Sequence, residues 1–106
     1  MRPVLPGDVA AAAREIYPLP RSERRARLAR LIVEAEKADA FRRATGHAHP
    51  SWGTGSLMTA AAGWATGPEP SFDDDRYCAC WIDVLHALIA HRARVSPQRR
   101  TRTERS

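Results

Sequence analysis

The chain reads as an all-α protein: a compact bundle of about four helices, two long and two short, with a disordered basic C-terminal tail. Three observations carry that reading. Apolar residues recur at three- and four-residue spacing over long stretches. The breaks between these stretches are rich in Gly and Pro. No alternating strand pattern competes with them. With 106 residues the chain has room for one modest core, assigned to residues 1–91, with the tail over 92–106.

The elements follow in order. Pro6-Gly7-Asp8 turns into a first helix over 9–17, with Asp8 as N-cap and Val9, Ala12, Ala13 and Ile16 on one face. Pro18 and Pro20 end it. Ser22 then caps a long helix over 23–45, with Leu28, Leu31, Ile32, Ala35 and Ala38 as its stripe and Gly46 as its stop. Asp39 and Arg43 stand at i,i+4, a pairing worth about 0.3 kcal/mol. Residues 46–56 form a Gly-rich loop with Trp52 as its aromatic anchor, followed by a short Ala-rich helix of roughly 55–65 with Leu57, Met58, Ala61 and Trp64 inward. After Gly67-Pro68-Glu69-Pro70 the last helix runs over 73–94, capped by Ser71 or Asp73, with Tyr77, Cys80, Trp81, Val84, Leu85 and Leu88 inward. Its acidic start, Asp73 to Asp75, and its basic end, Arg92 and Arg94, both suit the helix dipole.

Charge is distributed unevenly. The formal net charge is +5, and 16 of the 17 basic residues are Arg. The tail holds Arg92, Arg94, Arg99, Arg100, Arg102 and Arg105 against Glu104, leaving 11 basic and 11 acidic residues in 1–91. A second cluster, RSERRARLAR over 21–30, holds Arg21, Arg24, Arg25, Arg27 and Arg30 against Glu23. Arg24, Arg25, Arg27, Arg30, Arg92, Arg94, Arg99, Arg100 and Arg102 are thus the candidate phosphate-binding residues, suited to salt-sensitive, sequence-independent DNA contact. The competing reading is a solvated Arg face and a solubilising tail, with codon usage behind the arginine count.

Other chemistries find less support. His47, His49, Cys78 and Cys80 supply four ligand types suited to zinc. Residues i and i+2 on a helix diverge by about 200°, so Cys78 and Cys80 cannot share a metal or a disulfide without a break. Two free thiols fit a reducing, cytoplasmic setting. Asp83 and His86 form an i,i+3 pair without a nucleophile placed to complete a triad. Gly53-Thr54-Gly55-Ser56 lacks the Lys of a phosphate-binding loop. The three aspartates read as a capped helix start rather than a cation site. No catalytic residue, cofactor or metal ligand is assigned, and no run is long and apolar enough for a membrane span. Trp52 and Trp64, beside flexible breaks, are the candidate partner-binding residues.

Three stretches, MRPVLPGDVAAAAREIYPLP, GHAHPSWGTGSLMTAA and EPSFDDDRYCACWIDVLHALIA, together resemble small helical alphaproteobacterial proteins associated with gene transfer agents. The resemblance covers most of residues 1–91. It implies similarity to a small terminase subunit: non-enzymatic, oligomeric through helices, DNA-binding, and a recruiter of the large terminase ATPase. The chain departs from many such subunits by lacking a clear helix-turn-helix reading helix, which implies DNA binding of low specificity. No family residue is carried over. The rival expectation is a helical protein-binding adaptor or regulator without a nucleic-acid role. A third is a metal- or redox-sensing helical protein.

Overall fold

The computed structural model describes residues 1–61 and 68–95. Four α-helices make up 70% of them: α1 (Pro6–Ile16), α2 (Arg21–Thr45), α3 (Leu57–Ala61) and α4 (Asp75–Val95). Two are long and two short, as the sequence predicts. Among the described residues, β structure is limited to an isolated bridge between His49 and Gly53.

Each helix start lies two or three residues from the sequence expectation, for a local reason. Pro6, with its φ already helical, occupies the first position of α1 and moves the cap back to Leu5. Asp8 is therefore not the N-cap. Its Oδ2 accepts the Leu5 N–H at 2.8 Å, and its Oδ1 accepts the Met58 N–H at 2.8 Å, joining the starts of α1 and α3. α2 starts at Arg21 directly after Pro20, so Ser22 lies inside the helix. α4 is capped neither by Ser71 nor by Asp73: Asp74 Oδ1 accepts the N–H of Arg76 at 2.9 Å and of Tyr77 at 3.3 Å. Gly46 ends α2 in the left-handed region at φ 76°, as expected of a glycine stop.

The core is formed by the predicted stripes of α1 and α2. Val9, Ala12, Ala13 and Ile16 meet Leu28, Leu31, Ile32 and Ala35, and both sets pack on Leu57, Ala60 and Ala61 of α3 and on Tyr77, Cys80 and Val84 of α4. Alanines on α1 and α3 let these helices approach closely. Residues 46–56 lie back on α2. Gly55, at φ 99°, sits where a Cβ would fall 2.6 Å from the Asp39 Cβ, and Arg42 Nε donates to the Thr54 carbonyl at 3.0 Å.

Two contacts set the direction of α4. Near its start, Arg76 Nη2 donates to the Leu19 carbonyl just ahead of α2 at 3.4 Å. Near its end, His91 Nε2 pairs with Glu36 Oε2 at 2.8 Å. The two long helices therefore run parallel. This docking turns Tyr77, Cys80 and Val84 inward and corrects part of the expected face: Leu85 is 45% exposed, and Trp81 and Leu88 are half-buried. Met58, expected inward on α3, is likewise exposed.

Candidate nucleic-acid interface

The five arginines of 21–30 fall on different sides of α2. Arg24 stands one turn ahead of Leu28, on the core stripe, and is only 7% exposed. Its Nε donates to the Leu19 carbonyl at 3.2 Å. Arg27 reaches α1, where its Nη2 donates to Glu15 Oε1 at 2.9 Å. Glu15 is buried, and burial raises its pKa above the ordinary carboxylate value against the opposing pull of Arg27. Arg24 and Arg27 thus hold the fold together, a correction to their reading as phosphate-binding residues. Arg30 is exposed but turns toward a different surface, beside Val33, Glu34, Lys37 and Trp52.

Arg21 and Arg25 are exposed and face α4. Parallel packing of α2 and α4 leaves a groove of about 540 Å³ between them. Arg21, Arg24 and Arg25 line it from α2, and Asp83, His86 and Arg94 line it from α4. Leu28, Ile32 and Ala87 form its floor. Four arginines against one aspartate give this groove a positive wall, and the exposed ones can meet phosphates without leaving a buried carboxylate unpaired. Asp83 and His86, one turn apart on α4, belong to the same wall.

Residues 2–88 match the family model described as Domain of unknown function (DUF7742). The chain belongs to the DUF7742 family. Curated proteins and solved structures give no match. The stretch matched to DUF7742 takes in α1, α2 and α3 and the first two-thirds of α4, including every groove residue except Ala90 and Arg94.

Arg92 and Arg94 part company on α4, as two residues set about 200° apart must. Arg94 faces α2. Arg92 lines a second, larger groove of about 870 Å³ between α4 and the segment ahead of α1, where its neighbours include Leu5, Trp81, Leu85, Leu88 and Ile89. Arg99, Arg100 and Arg102 lie outside the described residues, as does Trp64. Trp52 is half-buried. It stacks on His49 at 4.6 Å between centroids, Phe41 meets His49 edge-on at 5.1 Å, and Lys37 Nζ lies 6.0 Å from the Trp52 ring.

The soft-ligand residues sit in separate settings. His49 Nδ1 accepts the Ser51 and Trp52 N–H groups at 3.0 and 3.2 Å. Cys78 donates to the Phe72 carbonyl, while Cys80 is in the core, where burial raises its thiol pKa. Among the described residues no group of three or more His, Cys, Asp or Glu is arranged to hold a metal ion. Among them, too, no helix is long and apolar enough to cross a membrane.

Arg21 is the groove residue that charge clustering left off the candidate set, although it opens the same arginine run. The signal that could have sorted the run is angular. Arg24, four residues before Leu28, shares the apolar stripe; Arg25 stands about 60° round from Leu28, while Arg21 keeps the angle of the stripe but opens the helix and so reaches solvent.

Proposed function

We propose that this chain is a non-enzymatic, oligomeric DNA-packaging protein of small-terminase type, acting in the cytoplasm for a gene transfer agent or phage-like particle. It binds DNA with low sequence specificity and recruits the large terminase ATPase. One observation carries the DNA part: α2–α4 packing brings Arg21 and Arg25 to the same groove as Arg94, from the far end of the described chain. Charge converging from two elements on one open groove is what phosphate contact requires and what a merely solvated helix face does not need. The resemblance of the three sequence stretches supplies the packaging context.

The test is fluorescence anisotropy on a DNA duplex of arbitrary sequence over a salt series. The full chain is compared with Arg21→Ala/Arg25→Ala/Arg94→Ala. Each phosphate contact removed lowers the salt slope by about 1, so the triple variant should lose about 3 from it and bind roughly tenfold or more weakly at low salt. A wild-type chain that fails to bind at low salt ends this reading.

A second reading, a protein-binding adaptor, draws on the depression beside Trp52, about 310 Å³ with half-exposed Val33 on its rim. It predicts that Trp52→Ala abolishes partner binding while the three groove substitutions leave it unchanged.

A further inference from the structure

The exposed side of α4 carries a second pattern. Asp75, Cys78, Ile82, Leu85, Ile89 and Arg92 follow one another at spacings of 3, 4, 3, 4 and 3, a heptad seam superimposed on the inward-facing residues. Ile82, Leu85 and Ile89 are 53%, 45% and 58% exposed. Cys78 is partly exposed, and Asp75 and Arg92 are exposed. The seam is thus acidic at its start, apolar in its middle and basic at its end. Leu5 and Phe72, 64% and 60% exposed, flank the helix. A strict 3.5-residue repeat suits another helix with the same repeat, because each side chain enters a hole between four residues of the facing helix.

We infer that this seam is covered by α4 of a second copy, packed antiparallel about a two-fold axis. The order of residues along the seam selects both partner and direction. Reversed against itself, it sets Asp75 against Arg92 of the partner subunit, Cys78 against Ile89 of the partner subunit, and Ile82 against Leu85 of the partner subunit. The two-fold axis repeats every one of these layers. Each charge meets its opposite and the apolar layers meet each other. A parallel pair would oppose Asp75 to Asp75 and Arg92 to Arg92, placing like charges together at both ends. The inference deepens the proposed function by naming the contact through which copies associate. It leaves the groove of Arg21, Arg25 and Arg94 open on the α2 side of the same helix.

The experiment begins with light scattering on the full chain across a concentration series. The expected mass is twice 11.8 kDa. Ile82→Glu/Ile89→Glu should give the monomer mass with an unchanged circular dichroism spectrum, since both side chains are more than half exposed in the monomer. Direction is read by oxidation with diamide. Ile89→Cys should yield a cross-linked dimer through Cys78, whereas the wild-type chain should not cross-link. Asp75→Arg and Arg92→Asp should each weaken the dimer roughly three- to tenfold, and the two together should restore it.

A wild-type monomer at all concentrations overturns the inference. So does wild-type cross-linking through Cys78, which requires the parallel arrangement, or a dimer that survives both glutamates. DNA anisotropy on the same samples separates the two readings. DNA binding by a monomer removes the dimer alone, and a dimer that ignores DNA removes the packaging role alone.

Discussion

The two sides of the first half of α2 carry the same residue type to opposite ends. On the inner side, Arg24 lies under the helix start and Arg27 closes on buried Glu15. Toward α4, Arg21 on the first turn and Arg25 at the edge of the stripe stand in solvent along the groove with Arg94. The sequence counts all of them as one basic cluster. The fold divides them, because Arg24 sits over the core, Arg21 opens the helix one turn earlier, and Arg25 stands about 60° round from Leu28. A charge run therefore gives an upper bound on a binding surface, and the burial of each member sets the actual size.

The largest effect in this comparison belongs to Arg27. Arg27→Met removes the partner of a carboxylate whose side chain is 2% exposed, and an uncompensated buried charge costs about 3 kcal/mol or more. Chemical denaturation should show that loss. Replacing both residues, Glu15→Met with Arg27→Met, should recover most of it, because an apolar pair needs no compensation. A double variant as unstable as the single would mean that the ion pair itself, and not the stranded charge, holds α1 to α2.

Arg24→Ala comes next, at about 1–2 kcal/mol, from one lost hydrogen bond and the packing of its aliphatic stem. Arg25→Ala should shift stability by no more than about 0.5 kcal/mol, yet weaken DNA binding. The comparison is inverted if Arg24→Ala leaves the unfolding midpoint unmoved, or if Arg25→Ala lowers it by several tenths of a molar.

The bundle was legible because its core stripes repeat at the helical period. Every residue expected on the α1 and α2 stripes is buried. α4 was harder, since two patterns overlap there. Tyr77, Cys80 and Val84 face the core, while Ile82, Leu85 and Ile89 form the seam, and periodicity alone assigns Leu85 to either. Helix starts misled because Ser, Asp and Pro all mark them: Pro6 and Pro20 displaced the expected side-chain caps. Arg24 counts as a surface cation by charge, while its angle, one turn ahead of Leu28, places it over the core. The groove was not legible at all, as it depends on α2 and α4 running parallel. That direction is marked by Arg76 on Leu19 and His91 on Glu36, contacts that no local pattern announces.

The smallest effect is a difference in pH dependence between two buried carboxylates on this framework. Asp39 has three cationic partners: Arg42 Nη2 at 3.0 Å, Arg43 Nη2 at 3.1 Å and the Met1 amine at 3.2 Å. Burial opposes its ionisation, but the Arg42 hydrogen bond, the amine and Arg43 together hold its pKa below 3.8. Glu15 has Arg27 on one oxygen, and among the described residues its Oε2 has no hydrogen-bond partner. Desolvation there prevails, and the pKa lies above 4.5. The signs follow from proton counts. Between 4.5 and the raised value, the folded chain holds the Glu15 proton more tightly than the unfolded chain, so stability falls as pH rises through that window. Below 3.8 the unfolded chain takes up the Asp39 proton first, so the stability Asp39 contributes is lost as pH falls through its folded value. Thermal unfolding from pH 7 to pH 3, taken as the difference between wild type and Glu15→Gln, should show the first slope alone. The difference for Asp39→Asn should show the second alone. Equal profiles for wild type and Glu15→Gln above pH 4.5 would mean that Arg27 fully compensates the buried charge, and that α1 and α2 are joined by a satisfied ion pair.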